Sequence, residues 1–519
     1  MSSPTKRIAI VGAGPSGLSA IKEFTAAGFE VQCFERAHAI GGQWLYDPNP
    51  TADTHSSIYN GVILNSCREP SAFGDFPLDP ARYPIFYHHS LHLRYLNEFA
   101  AHFGLLKHIQ FRTTVVGCSP TSEGGWELRI RSENENGTED EAVLTFDAVV
   151  CGTGLGNRPK IPEFPGRAKF KGEVFHSHYY RKPTPLEGKK VVIVGLGPTA
   201  IDLACEIGPL AKDLRIVNKR GAWVLPRFIL GKPTEALNSR ASATWLPFSV
   251  QAFLFKQVFN NLVGKQPAVL QPSHHIMAQN AAVRSDFTEK LKSGVFNLHR
   301  SDITSFTESG VLLDDGTTLE ADVVILSTGY HHADYPFLPP GTIESKDAPA
   351  PHIDLYKHIV PPRAKNLFIM GNVEVVGPAS AIIEGQARWI TAVLQGTIQL
   401  PNEEDMMKDI RAFRAWQAKH FINSARHIIS VELNSYVDGL LAPLGAVPSA
   451  WKLLGRVFTT GKPLRALKVY LAVFFEIQVS AQWRLFGAGS KTELAEETLL
   501  RVAAGKEALS DGEKAWLKT

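Results

Sequence analysis

Residues 8–11, Ile-Ala-Ile-Val, form a short unbroken apolar run that leads directly into Gly12, Gly14 and Gly17 and then into a helical pattern. Such a run is read as a parallel strand buried on both faces. The glycine spacing gives each turn position a task. Gly12 permits a tight turn, Gly14 lets the main chain approach a pyrophosphate, and Gly17 lets helix and strand pack closely. Pro15 and Ser16 open the helix, whose free N–H groups and partial positive charge suit phosphate. A second strand, residues 31–35, ends in Glu35, about 20 residues beyond Gly14, where an acid accepts from a ribose 2′-OH and excludes a 2′-phosphate. A purely structural glycine turn is the competing reading.

The same grammar returns at residues 189–200: an apolar run, Gly195, Gly197 and Ala200, then a helix. Alanine at the third position still fits the fingerprint. Thr199 and Asp202 are placed to bond phosphate or ribose, or to cap the helix. The following strand, residues 214–217, ends in Asn218, Lys219 and Arg220. Cations there suit a 2′-phosphate, so the second site should prefer NADP to NAD; a solvated basic turn is the alternative. Each unit closes on an apolar strand ending in Thr-Gly, at residues 148–154 and 323–330. Two such units, one ending in an acid and one in cations, imply electron transfer between two dinucleotides, FAD and NADPH being the simplest pair.

The expected fold class is therefore α/β, with two dinucleotide-binding Rossmann-like domains, the FAD domain discontinuous and interrupted by the NADP domain. Residues 1–157 and 331–450 would form the FAD-binding domain, and residues 166–330 the NADPH-binding domain, with an insertion at about 228–286. Residues 451–519 would be a C-terminal helical segment, with a core helix at 467–479 and a solvated charged tail at 492–519. The Pro-rich residues 157–165 read as a linker. A chain of 519 residues exceeds one ordinary core.

Composition excludes several classes. A net charge of +3 gives no electrostatic case for nucleic acid. Five scattered cysteines without a CxxC argue against a disulfide framework or a zinc site and fit a reducing compartment. His88, His89, His92, His274 and His275 lack a Cys or carboxylate at ligand spacing, so no metal is expected. No secretory h-region and no apolar run of spanning length occur, so the expected location is cytoplasmic. Within the insertion, Phe248, Ala252, Phe255, Phe259 and Leu262 recur at helical spacing. That stripe packs on the body, or else residues 245–264 line a substrate entrance or touch a membrane surface peripherally.

Ile40-Gly41-Gly42-Gln43-Trp44 suits a loop lying against a flat ligand. Residues 59–87 are irregular and aromatic-rich and contain Asn65 and Ser66; long loops inside compact domains are usually functional. A strand at 111–116 carries Val115, and a helix at 381–394 carries Gln386. With Thr328 and Gly329, these residues complete the expected cofactor-binding set.

Residues 170–180, FKGEVFHSHYY, fit the pattern FxGxxxHxxx(Y/F) through Phe170, Gly172, His176 and Tyr180. On this segment the chain resembles the flavin-containing monooxygenases, over nearly its whole length to about Val502. Baeyer–Villiger monooxygenases carry a related pattern ending in Trp-Pro or Trp-Asp, from which Tyr180-Arg181-Lys182 departs. Leu326-Ser327-Thr328-Gly329-Tyr330 looks like the family's (F/L)ATGY motif, with Ser327 for Ala. Residues 220–227 and 386–389 also look like family segments. The resemblance implies an NADPH- and O2-dependent enzyme that forms a C4a-hydroperoxyflavin and oxygenates an amine nitrogen or sulfur of a small substrate. It further implies that Asn65 lies beside the reactive flavin carbon and contacts bound NADP. The family's lysine-bearing segment after that Asn is replaced by Ser66-Cys67-Arg68-Glu69. His176 is expected to be structural or gating at the linker. Ketone oxidation, oxidative decarboxylation and a non-oxygenating dinucleotide-binding role are the alternatives.

Overall fold

The computed structural model describes residues 5–505 except 135–136, 157, 332–334, 349–351, 376, 378 and 423–426. The end of the charged tail and the first linker residue, Asn157, thus lie outside the described residues. The chain begins with β1 (Arg7–Val11), whose last four residues are buried, then α1 (Pro15–Ala26) and a parallel β2 (Glu30–Phe34). Helix α2 (His89–His102) leads to β3 (Ile109–Gln110). An antiparallel sheet follows: β4 (Thr113–Pro120), β5 (Trp126–Glu133) and β6 (Glu139–Phe146). Alternating burial along β5 places Trp126, Leu128 and Ile130 on one covered face, as period-two patterning demands. Strand β7 (Ala148–Cys151) then pairs with β1.

The second unit comprises β8 (Glu173–His176), β9 (Lys190–Val194), α3 (Pro198–Ile207), β10 (Asp213–Val217), β11 (Asn297–His299) and β12 (Val323–Leu326). These strands form one parallel sheet in the order β11-β10-β9-β12-β8. The chain then returns. Strand β13 (Leu367–Ile369) adds to β7, so the first sheet is β13-β7-β1-β2-β3 and the second unit interrupts it.

The expected linker is a hinge of two short antiparallel strands: Arg158–Pro159 pairs with Tyr330–His331, and the Lys160 N–H donates to the Gly329 carbonyl at 2.9 Å. Both crossings between the units therefore run side by side.

Helices cover what remains. The insertion contributes α4 (Arg240–Trp245) and α5 (Phe248–Leu262). Ala252 and Phe259 are buried against the body, but Leu262 from the same expected stripe is exposed, with Val250, Phe253 and Leu254. Helix α6 (Ser380–Leu394) packs on α1, and α7 (Glu403–His420) and α8 (Leu433–Leu441) follow it. Then come α9 (Ala450–Thr459), α10 (Pro463–Phe475) and α11 (Thr492–Ala504). The expected core helix at 467–479 is α10, displaced by four residues and buried on one face only. Ala466, Val469, Ala472 and Val473 are covered, while Leu464, Leu467, Leu471 and Phe475 are exposed.

Where the C-terminal segment meets α1, an ionic cluster is buried. Arg484 pairs with Glu384 and Glu23, and Lys22 pairs with Asp75 and Glu23. Burial pushes the Glu23 carboxyl up, but Arg484 and Lys22 outweigh it and hold it at about 2.

Candidate active site

The first turn shows why each glycine is there. Gly12 has φ +99°, and a Cβ on it would come within 2.9 Å of the Gly152 carbonyl oxygen. A Cβ on Gly17 would overlap the Gly12 carbonyl oxygen, so α1 reaches β1 only with glycine there. Gly14 is the N-cap of α1 without a side-chain cap, and Pro15 fills the first helical position, leaving the next N–H groups directed outward. Gly14 faces Gly42, where a Cβ would lie 3.1 Å from the Gly14 α-carbon. Turn and loop together form a slot bare of side chains, shaped for close approach of a pyrophosphate. Ser16 is buried beside Gly371, Gln43 bonds Ser57, and the Trp44 ring lies 4.4 Å from His92.

Glu35 accepts from the Ala13 N–H (2.7 Å) and the Ala37 N–H (2.8 Å). It therefore braces the turn. Asn372, just past β13, is buried with both amide atoms unpartnered among the described residues. A buried amide without partners is the pattern of a group kept for a ligand. The sequence reading missed it, although its place beyond the carboxyl end of a strand in the first sheet is where α/β folds bind ligands. The residues present fit FAD.

In the second turn Gly195 has φ +112°, and a Cβ on it would overlap the Ser327 carbonyl oxygen. Gly197 caps α3, and a Cβ there would meet nothing within 4 Å. Thr199 is half-buried in the first turn of α3, and Ala200 is fully buried where Gly17 stands in the first unit. Lys219 is drawn to Asp302 (3.5 Å) and Asp314 (3.4 Å), so its charge is shared. Arg220 is exposed on a turn that the Asn218 amide oxygen fixes by accepting the Arg220 and Gly221 N–H groups. The Arg300 guanidinium adjoins Gly221 and adds a second cation that the sequence reading did not single out. This arrangement fits NADPH.

Five expected cofactor residues do other work. Asp202 accepts from the Tyr59 hydroxyl of the first unit (2.6 Å) and pairs with Arg284 of its own unit (3.4 Å). Burial raises its pKa despite Arg284. Gln386 is fully buried, accepting the Gly371 N–H (2.8 Å) and donating to the Tyr436 hydroxyl (2.8 Å), so it supports the turn from behind. Val115 packs its side chain in the core between β4 and the first sheet. Thr328 donates to the Lys160 carbonyl and, with Gly329, belongs to the hinge. His176 ends β8, and its Nδ1 accepts the His178 N–H (3.1 Å). Burial, with His178 nearby, lowers its pKa to about 4, so it is a neutral structural group next to Tyr330.

Residues 59–67 of the first unit are held against the second. The second unit grips this segment through Tyr59–Asp202 and through Cys67, whose N–H donates to Glu235 (2.7 Å). Tyr180 bonds Glu206 (2.9 Å), which abuts Gly61. Asn65 lies in a bend within this segment, exposed, and its amide makes no hydrogen bond among the described residues. Ser66, half-buried, adjoins Glu235. A free amide, able to donate and accept, thus stands on a main chain fixed from both units.

Known proteins match this architecture. The family described as FMO-like, flavin-binding monooxygenase-like, matches residues 5–503. Flavin-containing monooxygenase 5 of Rattus norvegicus is 34% identical over 512 residues, covering 96% of this chain and 92% of its own. Dimethylaniline monooxygenase [N-oxide-forming] 2 of the same species is 34% identical over 498 residues, covering 93% and 89%. The structure of S-allyl-L-cysteine S-oxygenase from Allium sativum superposes with a TM-score of 0.64 at 25% identity, over 90% of this chain and 94% of that one. With both dinucleotide turns intact and the family match running almost end to end, the chain belongs to the flavin-binding monooxygenase-like family.

Proposed function

We propose that the cleft between the two glycine turns oxygenates an amine nitrogen or a sulfur of a small molecule, and that Asn65 guards the reaction centre. Overall, NADPH, a proton, O2 and substrate give NADP+, water and the oxygenated product. Bound FAD, once reduced, supplies the oxygen activation. The chain's residues bind, orient and exclude water. Gly12, Gly14 and Gly17 admit the FAD pyrophosphate, Glu35 takes the ribose, and Gly42, Gln43 and Trp44 cover the flavin side. Gly195, Gly197 and Thr199 receive the NADPH phosphates, with Arg220 on the 2′-phosphate. We assign residues 1–157 and 331–450 to the FAD unit, 166–330 with the 228–286 insertion to the NADPH unit, and 451–519 to the helical segment.

The observation that carries this reading is the unpaired Asn65 amide on a segment anchored by both units. Its donor and acceptor both remain free for flavin and nicotinamide. A dry site matters because water promotes loss of activated oxygen as peroxide. Replacing Asn65 by Ala should leave FAD bound and NADPH consumption intact while oxygenated product falls about tenfold and hydrogen peroxide rises, the loss expected for one hydrogen bond. Unchanged coupling in that variant removes Asn65 from the role. Ketone oxidation is the weaker reading, because Tyr180 stands where the related pattern has Trp.

A second reading concerns the outer face of the insertion. Trp245 stacks on Phe474 at 5.3 Å, which sets α4 beside α10. Phe253 of α5, Leu464, Leu471 and Phe475 of α10, and Trp451 and Phe458 of α9 are exposed. Lys256, Lys452, Lys462 and Lys468 are exposed on the same helices. Aromatic and aliphatic tips bordered by lysines suit peripheral contact with a lipid surface. Among the described residues no helix is long and apolar enough to cross a membrane.

A further inference from the structure

Of the contacts that hold the Asn65 bend, one comes from far away in sequence. On the upstream side the Leu64 N–H donates to Tyr87 (3.0 Å) and Ile63 bridges His88; downstream the Arg68 N–H donates to Ile85 (2.7 Å). All of these lie within the 59–88 segment. The remaining anchor is the Glu235 carboxylate, which accepts the Cys67 N–H at 2.7 Å and also bonds the Ser66 and Cys67 side chains. Only Ser66 lies between this main-chain bond and Asn65.

Glu235 stands on a short turn, Thr234–Leu237, at the root of the insertion. That turn is itself fixed: Thr234 N–H donates to the Arg227 carbonyl (2.9 Å), and Phe228 packs edge-on against Phe86 at 5.1 Å. Farther along, Arg240 forks onto Asp438 with two bonds of 2.8 Å. Glu235 forms no ion pair among the described residues. A half-buried carboxylate without a cation carries a desolvation cost, which pushes its pKa up against the pull of the Cys67 and Ser66 donors. An apolar side chain of the same length would fill the space without that cost. The group is therefore explained by what it holds rather than by what it adds to stability.

We propose that Glu235 is a positioning residue that sets the Asn65 bend from the NADPH-side insertion, so that the guarding geometry of Asn65 exists only when the insertion is docked on the flavin side. The proposal rests on the reading of Asn65 given above.

The test uses the full-length FAD-loaded enzyme with a tertiary amine and a thioether as substrates, measuring product, hydrogen peroxide and flavin bleaching by NADPH. Glu235→Met keeps the volume and removes the acceptor. It should retain FAD and bleach within about twofold of the parent while product per NADPH falls about tenfold, as expected for loss of one positioned bond. Glu235→Gln, whose amide oxygen can still accept the Cys67 N–H, should restore coupling to within about twofold. Asn65→Ala combined with Glu235→Met should be no worse than Asn65→Ala alone, since residues acting as a unit are non-additive. Normal coupling in Glu235→Met with Asn65→Ala uncoupled overturns the role of Glu235 alone. Multiplying losses in the double variant also overturn it. Normal coupling in Asn65→Ala overturns both readings. Should Glu235→Met not yield folded enzyme, Glu235→Gln and Glu235→Ala carry the same comparison.

Discussion

Gly17 and Ala200 occupy the same position in two copies of one motif, yet only one of them tolerates a methyl group. In the first unit a Cβ would run into the Gly12 carbonyl oxygen, whereas Ala200 is fully buried and accommodated. Gly17→Ala should therefore cost about 1–3 kcal/mol of stability by overpacking and lower FAD retention. Ala200→Gly should cost about 1 kcal/mol through helix propensity and leave NADPH binding intact. Thermal unfolding with and without added FAD checks both. The cations at the end of β10 should also separate. Arg220→Ala should raise the KM for NADPH about tenfold while leaving that for NADH unchanged, since only NADPH carries the 2′-phosphate. Lys219→Ala should do much less, because Asp302 and Asp314 already share that charge. Steady-state kinetics with both nucleotides reads this directly. At this scale the turns were legible because glycine geometry is local. The partners of Asp202 and Gln386 were not legible, because Tyr59, Arg284, Gly371 and Tyr436, distant in sequence, decide where those side chains point. Asn372 and Arg300 were missed for the same reason.

Among the elements, β1, β7, β9 and β12 follow from unbroken apolar runs, since strands covered on both faces leave no alternation to misread. Helix α10 was harder. Its apolar content read as core, but only one face is covered, and periodicity cannot tell a protein neighbour from an open surface. Helix α2 and strand β8 carry buried histidines with a testable signature. Burial lowers His92 to about 3; burial, with His88 nearby, lowers His89 to about 4; and His176 is likewise at about 4. In the unfolded chain each titrates near 6.5. Above that value both states are neutral and nothing is lost. Below it the unfolded chain takes up protons that the folded one refuses, so stability falls as pH drops from 6.5 towards the folded values. Each such group contributes up to about 1.4 kcal/mol per pH unit across that window. Melting temperature should therefore decline from pH 6.5 to 5, and His92→Phe should reduce that slope. A melting temperature that stays level across the window would contradict it.

At the scale of the molecule, two parallel sheets share one hinge, and the segment 59–67 of one unit is held by side chains of the other. The alternation of strand and turn signals foretold the interrupted first sheet. The sequence pointed to residues 245–264 as a surface stripe but not to α10 beside it, because α4 and α10 lie some 200 residues apart and the packing of Trp245 on Phe474 joins them. If that surface meets lipid, the purified enzyme should co-float with phosphatidylcholine vesicles containing anionic lipid. Phe253→Glu with Leu471→Glu should abolish flotation without altering activity in solution, and flotation unaffected by that pair would refute the contact. The account as a whole stands on oxygen reaching substrate rather than escaping as peroxide. Its most direct test is a single-vessel measurement of NADPH oxidised, hydrogen peroxide released and N-oxide or sulfoxide formed by the FAD-loaded enzyme. The prediction is that most NADPH electrons appear in product with at least one amine or thioether. FAD-bound enzyme that returns all of them as peroxide, whatever amine or thioether is offered, would contradict it.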